Sequence, residues 1–320
     1  MSDDDSSGKY VHDNDSGQLK EPVMEQLRTE LTLVLGEPVG RLEHISEQGQ
    51  ASLFALYDDA GQAMPLVAKY FRRQGLAAQE AAKLSMLGRE SAIKVPAVYG
   101  VVISQQQPRH EVLLLERLRG VPVEAPARTP QRAQQLEQQI VECLHAWHSI
   151  DSQGVVGAVD STQQNSWSNW YQQYVEVLWA TLGWLALPGL TAEDRHLLLR
   201  CRQQLPRLFN DFAARCVLVH GNLSLQNLIK DPRSDRLIAV VHPGPILWAP
   251  REFEMSKLSE TGAAESLMFA SLRHQPADEG FIWRRWLYLL WETVAEAIAG
   301  MPLNRPRFDH AAHQLLPWLN

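Results

Sequence analysis

Two short segments in the second half of the chain combine residue types that could handle a phosphate group. The first, residues 220–227, reads His-Gly-Asn-Leu-Ser-Leu-Gln-Asn, and the second is Val241-His242-Pro243. Each follows an apolar run that is typical of a buried strand. Strand ends that bring a polar loop and a metal-binding side chain to one cleft form the frame of a phosphoryl-transfer site. The first candidate site residues are therefore His220 and Asn222 for catalysis, and Asn227 and His242 for a metal.

A cation and a carboxylate in the first half of the chain could hold the phosphates. Lys69 lies near the end of the apolar run 65–71, and Glu80 falls on the helix predicted next. A kinase-type lobe needs a lysine that reaches the α and β phosphates, and a carboxylate that holds this lysine. Considered alone, a lysine at a strand end is usually only solvated, so the pair depends on the rest of the chain. Two weaker nucleotide-binding candidates are Gly49, where an ordinary turn is favoured over a phosphate-cradling loop, and Glu116 at a predicted strand end.

The elements that must position these residues begin with a small sheet. Residues 1–22 are acidic and rich in Ser, Asp and Gly, which predicts a disordered tail. Leucines at helical spacing predict a helix over 25–35, and Asp/Gly turn residues between the apolar runs 52–57 and 65–71 predict a hairpin. A helix over 76–87 and strands over 97–103 and 112–116 complete an antiparallel sheet with a helix on it.

A proline-spaced segment, 120–130, breaks both helix and strand patterns and is the predicted join between two lobes, 23–119 and 120–320. The larger lobe is predicted to be mainly helical. Its apolar stripes at helical spacing are Leu136, Ile140, Leu144 and Trp147, followed by Trp170, Tyr174, Val177 and Leu178. A polar helix over 192–205 then leads into the candidate loop. These elements predict an α+β fold of two lobes with the site at their cleft.

Composition and charge exclude several classes of function. The chain has 320 residues and a net charge of −7, without a basic stripe, so nucleic acid is not expected as a partner. No run approaches the roughly 18 apolar residues of a membrane-spanning helix, and the N-terminus has no apolar signal region. Three cysteines without CxxC spacing predict reduced thiols in a cytoplasmic protein.

Together these motifs resemble the aminoglycoside phosphotransferase-like kinases, within them the fructosamine kinases, and more closely an enterobacterial group of YcbJ-like phosphotransferases. In that family the loop reads His-Gly-Asp-Leu-x-x-x-Asn, which residues 220–227 match except at Asn222. The family's Ile-Asp-Pro corresponds to residues 241–243, and its Arg-Glu-Phe-Asp-Leu corresponds to residues 251–255. Its C-terminal Arg-x-x-Leu-Tyr-x-Leu-Tyr motif corresponds to residues 284–291, with Trp291 at the last position. The resemblance implies a bilobal protein kinase-like fold, with ATP as the nucleotide and Mg²⁺ as the family's metal.

The two departures remove carboxylates that the resemblance places at the centre of the chemistry. The family's loop aspartate takes or orients the proton of the acceptor hydroxyl, whereas Asn222 has no basic site. Loss of general-base assistance costs about 10²- to 10⁴-fold in rate. Mg²⁺ is a hard cation that prefers oxygen ligands, and His242 offers nitrogen. Since Asn227 alone is a poor magnesium site, conventional Mg-ATP phosphotransfer is not expected.

Several substitutes for the lost acids stay open. Asp231 or Asp235, in the turn after the loop, could supply a ligand, and so could Glu252 or Glu254, which in the family brace the loop. His242 could bind a softer metal such as Mn²⁺ or Zn²⁺. A positively biased cleft that binds a nucleotide or another anion without metal is also consistent with the sequence.

The favoured interpretation is a pseudokinase-type protein with degenerate catalytic carboxylates that binds a nucleotide or a small metabolite. One alternative is an active ATP-dependent kinase that phosphorylates a hydroxyl group of a sugar-like metabolite. Another is a non-catalytic scaffold that binds a protein partner through surface tryptophans, although most of the ten tryptophans fall on predicted helical stripes. No motif names the acceptor.

Overall fold

The computed structural model describes residues 19, 21–48, 51–90, 94–107, 109–160, 162, 164–259 and 262–319. Gly49 and nearly all of the predicted tail, 1–22, lie outside these residues. The first helix begins at Glu21, within the last two positions of that tail. Over the described residues no helix is both long and apolar enough to cross a membrane.

The small lobe is a five-stranded antiparallel sheet with one helix on each face. Its strand order is β1-β2-β3-β5-β4. The elements are α1 (Glu21–Leu35), β1 (Arg41–Gln48), β2 (Ala51–Tyr57), β3 (Ala63–Phe71), α2 (Leu76–Glu90), β4 (Val98–Ile103) and β5 (Glu111–Glu116). The predicted hairpin forms at β2–β3, and the predicted helices and strands of this lobe are all present.

The two-residue period of β3 decides where Lys69 points. Ala68 and Tyr70 pack with Leu27 and Leu31 of α1 on one face of the sheet. Val67 and its odd-numbered neighbours lie on the other face, where α2 packs. Because successive side chains of a strand alternate between faces, Lys69 is directed toward α2. The alternation therefore places a basic side chain on the α2 face.

The join between the lobes contains a short strand that its prolines did not predict. β6 (Val121–Pro122) pairs antiparallel with β9 (Leu228–Lys230). Proline lacks an amide donor and is tolerated at the edge of a sheet. β6 lies at the edge of the three-stranded sheet β10-β9-β6, in which β10 is Leu237–Val240. The proline-rich join is thus attached to the sheet that carries the candidate loop.

The large lobe is mainly helical, as predicted. Its remaining elements are α3 (Pro130–His148), β7 (Gly157–Ala158), α4 (Trp167–Trp184), α5 (Ala192–Leu208), β8 (Cys216–Val219), β11 (Leu247–Pro250), α6 (Arg251–Ser256), α7 (Ala263–His274), α8 (Phe281–Ile298) and α9 (Arg305–Leu315). Side-chain caps fix several helix starts: Thr129 accepts from the amide of Arg132, and Thr191 forms a capping box with Asp194. β8 pairs with β11, which brings α6 next to the loop that follows β8.

Helix α8 lies at the centre of the large lobe, and its segment 286–291 is buried. The stripe predicted on α3 is also buried. On α4 the predicted stripe is wrong at Val177, which is 65% exposed, and Trp170 and Tyr174 are only partly buried. The buried side chains of α4 are Trp167, Tyr171, Val175, Leu178 and Leu182. The helix therefore faces the core with a different side from the one that Trp170, Tyr174 and Val177 indicated.

Candidate active-site cleft

Lys69 and Glu80 form an ion pair at the base of the small lobe. The Lys69 Nζ atom lies 2.7 Å from both carboxylate oxygens of Glu80. The two side chains are only 6% and 12% exposed. A bidentate contact between buried groups holds the lysine in one orientation, as a kinase-type lobe requires. The structure thus brings together the pair that the sequence singled out.

The loop 220–227 is held from behind by Glu254 of α6. Its carboxylate accepts hydrogen bonds from the backbone N–H groups of His220 and Gly221. Gly221 has φ +78°, and a Cβ atom there would lie 2.2 Å from the carbonyl oxygen of Pro245. Burial raises the pKa of Glu254 to about 7, against the opposing effects of the two amides and Lys257. Glu254 therefore braces the loop, as the resemblance implied, and is not a ligand in the cleft.

His220 lies behind the loop and does not line the cleft. Its ring is fully buried and stacks on Trp147, with ring centres 5.7 Å apart and planes 9° from parallel. Burial lowers the pKa of His220 to about 3, while its contact with the backbone of Val241 acts the other way. A buried neutral imidazole positions the loop, so His220 is placed as a structural residue and not as a proton carrier in the cleft.

Asn222 and Asn227 form a hydrogen-bonded relay with His242. The Nδ2 atom of Asn227 donates to the backbone oxygen of Asn222 at 2.8 Å. The Nδ2 atom of Asn222 in turn donates to the backbone oxygen of His242 at 3.0 Å. His242 has φ +57°, in the left-handed region that Asn, Asp and His enter more readily than most residues. The two departures from the family motif are therefore in direct contact.

The His242 ring is a neutral group in this site. Burial is the main cause that lowers the pKa of His242 to about 3, and the positive charge of Lys69 acts in the same direction. The imidazole is therefore uncharged at neutral pH. A neutral ring at this position supplies no negative charge to balance a cation.

None of the four acids that the sequence offered as substitutes lines the cleft. Asp231 accepts from the amides of Arg233 and Ser234, and Asp235 forms an ion pair with Lys230 at the end of β9. Glu252 of α6 is bound by Arg284 and by the hydroxyl of Tyr288.

The donor set does not fit Mg²⁺. Over the part of the chain that the structure describes, no three His, Cys, Asp or Glu side chains could share a metal ion. The remaining donors, an amide oxygen of Asn227 and the His242 ring, do not meet the need of Mg²⁺ for anionic oxygen ligands.

The cleft between the lobes has a volume of about 910 Å³. Its apolar walls are Leu53 and Val67 from the small lobe, Leu115 near the join, and Ile229 and Val241 from the large lobe. Such walls suit a flat ring system.

The charged side chains that line the cleft are mainly acidic. They are Glu47, Glu80, Glu116 and Glu124, against Lys69 and Arg117. The positively biased cleft, which the sequence left open as one alternative, is therefore contradicted, because elements outside the two motifs contribute acids of their own.

Glu116 and Glu47 occupy different edges of this cleft. Glu116, predicted as a nucleotide-binding residue, forms an ion pair with Lys94. Glu47 was missed as a site residue, since the segment 46–52 drew attention only for its glycine. The Glu47 carboxylate accepts from the hydroxyl of Ser52 at 2.8 Å and lies 3.3 Å from Nε2 of His44. Its place next to the end of β1 was the available signal.

The two lobes, the Lys–Glu pair and the loop with its brace define a protein kinase-like fold of the phosphotransferase class. Residues 45–289 match the model of the phosphotransferase enzyme family, APH, and the chain belongs to this family. It is 51% identical over 296 residues to the "Uncharacterized protein YcbJ" of Escherichia coli (strain K12), a match that covers 92% of this chain and all of the relative. The predicted family is confirmed.

Solved structures agree on the fold. A protein assigned as a fructosamine-3-kinase from Haemophilus somnus 129PT superimposes with a TM-score of 0.69 at 18% identity, over 92% of this chain and 99% of the other. A thermostable mutant of the aminoglycoside phosphotransferase APH(4)-Ia, in a ternary complex with ADP and hygromycin B, gives 0.65 at 15% identity, over 92% and 98%. The predicted bilobal α+β fold is confirmed.

Proposed function

We propose that this chain is a degenerate phosphotransferase, a pseudokinase-type protein whose cleft binds a nucleotide or a small metabolite without transferring phosphate. The observation that carries the proposal is the contact between the two departures. The side-chain amide of Asn222 donates to the backbone of His242, so the position of the family's catalytic aspartate is occupied by a donor bound to protein. A bound amide neither takes a proton from an acceptor hydroxyl nor contributes negative charge to a metal.

Two features support a cleft that still binds ligand. The ion pair between Lys69 and Glu80 is formed, and the contact of Asn227 with the loop backbone is intact. The related APH(4)-Ia mutant was crystallised with ADP and hygromycin B, a nucleotide and a small molecule. The fold therefore offers a cleft between two lobes in which Lys69, Glu80 and Asn227 are kept, whereas the two catalytic acids of the family are replaced.

The test restores both acids. The double variant Asn222→Asp/His242→Asp should gain magnesium-dependent ATP hydrolysis that the parent lacks, and each single variant should gain little. Aspartate tolerates left-handed backbone, so His242→Asp is compatible with φ +57°. A triple variant that adds Asn227→Ala should lose the gained activity, because Asn227 supplies the second metal-binding oxygen.

The rival function, an active small-molecule kinase, is favoured by one observation, the intact Lys69–Glu80 pair that active kinases require. The same assay decides between the two. Parent protein that hydrolyses ATP as fast as the double variant, or that melts at a much higher temperature with Mg-ATP than with ATP in EDTA, contradicts the pseudokinase proposal.

A further inference from the structure

Apart from Lys69, the side chains that line the cleft offer little positive charge to a polyphosphate. Lys69 is matched by Glu80, and Glu116 is matched by Lys94. When these two pairs are set aside, the charged side chains that remain in the lining are Arg117, Glu47 and Glu124. Their net charge is −1.

Glu47 lies where a kinase-like lobe covers the phosphates. In kinases the strand pair at the start of the small lobe folds over the phosphates, and its backbone amides favour negative charge. Here β1 carries Glu47 one residue before its end, and the Ser52 hydroxyl on the paired strand β2 holds the carboxylate at 2.8 and 3.0 Å. A fixed carboxylate in this position repels a phosphate group.

Arg117, the cation that remains, is held by Tyr57. The Arg117 Nη2 atom donates to the hydroxyl of Tyr57, and the guanidinium lies 5.0 Å from the centre of that ring. Asn222 and His242 cannot be anions at any pH, so they recruit no metal ion to offset phosphate charge. The apolar walls, Leu53, Val67, Leu115, Ile229 and Val241, would still accept a planar base.

We propose that the cleft binds an uncharged nucleoside in preference to its phosphorylated forms. This inference rests on the proposed function, because it takes the cleft to be a binding site without metal chemistry. The proposed ligand consists of a planar base and a ribose and carries no phosphate. Glu47 is the residue that rejects phosphate.

Isothermal titration calorimetry of the full chain at pH 8, in EDTA and low salt, tests the inference. The probes are adenosine, AMP, ADP and ATP, and the matching guanosine series. For the better base, the nucleoside should bind most tightly, and each added phosphate should weaken binding about threefold or more. Raising the salt concentration should reduce the differences in affinity between the nucleoside and its phosphorylated forms, since screening weakens repulsion between charges.

A matched pair of variants on β1 assigns the effect to Glu47. Glu47→Gln should strengthen ADP binding about threefold or more and leave nucleoside binding within about twofold. Glu43→Gln removes an exposed carboxylate from the same strand, outside the cleft, and should change neither. A thermal melt of both variants verifies folding. Equal effects of the two variants would overturn the role of Glu47.

The outcomes separate this inference from the proposed function. Affinity that rises with each phosphate in EDTA overturns the nucleoside preference and leaves a metal-independent nucleotide-binding protein. Affinity that rises only with added magnesium overturns both. Failure of all eight probes to bind overturns the nucleoside assignment, while the restored activity of the double variant still tests the proposed function independently.

Discussion

Replacement of Glu254 by glutamine should stabilise the protein by about 3 kcal/mol at pH 8 and by no more than about 1 kcal/mol at pH 5. Glu254 is fully buried, and burial raises its pKa to about 7 from the ordinary value of 4.5. Between these values the folded state keeps a proton that the unfolded state has released. The stability contributed by the protonated carboxyl is therefore complete below pH 4.5 and is lost as the pH rises through 7.

At about 1.4 kcal/mol per pH unit, this loss amounts to about 3 kcal/mol in the free energy of unfolding. Glutamine resembles the protonated acid, since it is uncharged and keeps one oxygen for the loop amides. The Glu254→Gln variant should consequently not lose this stability. Its advantage over the parent at pH 8 should be about 3 kcal/mol.

Urea unfolding of both proteins between pH 5 and pH 8 measures the effect. Other titrating groups cancel when the two free energies are subtracted, provided that their surroundings are unchanged. Glu43→Gln, at an exposed position of β1, controls for the loss of one negative charge. A difference between parent and Glu254→Gln that does not vary with pH would refute the reasoning, because the carboxyl would then titrate alike in the folded and unfolded states.

Two further predictions concern the surroundings of the loop. Gly221→Ala should lower the free energy of unfolding by about 3 kcal/mol, because it adds a backbone clash to left-handed strain. The control is Gly36→Ala, at φ +69° with no atom within 4 Å, which should lower it by only about 1 kcal/mol. Equal losses of the two variants in urea unfolding would contradict the clash. Burial lowers the pKa of His148 to about 3, so the unfolded state binds the extra proton below pH 6.5 and stability falls as the pH drops. The His148→Gln variant cannot bind this proton, so it should not lose this stability. The free energy of unfolding of the parent minus that of the variant should therefore fall by about 2 kcal/mol between pH 7 and pH 5, and a difference that stays constant would contradict this.

The local elements were predictable because their signals are local. Leu27 and Leu31 recur at helical spacing and are buried in α1, and the Asp/Gly turn at 58–61 marks the hairpin. The stripe on α4 was harder, since Trp170 and Tyr174 are large enough to be half-buried on either side of the helix. Spacing alone does not separate such a face from the core-facing one.

The contacts that decide the chemistry were not predictable from spacing. The bond from Asn222 to His242 depends on a left-handed backbone at a non-glycine residue, for which no residue pattern is a sufficient signal. The charge of the cleft was misjudged for a related reason. Counting two lost acids gave a positive bias, but Glu47 and Glu124 enter the cleft from β1 and from the join. Only the three-dimensional arrangement shows that these two carboxylates contribute to the net charge of the cleft.

The short strand in the join restricts how the two lobes can move. β5 ends at Glu116, and Arg117 is still hydrogen-bonded to β3. Gly120 is already pressed against β9, where an added Cβ would lie 2.4 Å from Ile229. Within the join, only residues 118–119 lie between the part bonded to β3 and the part packed against β9. The end of α2 adds a second link, since Leu87 belongs to the core of the large lobe and the amide of Val240 donates to the carbonyl oxygen of Lys94. We therefore expect the spacing between Leu115 and Ile229, beside the join, to change little when a ligand binds.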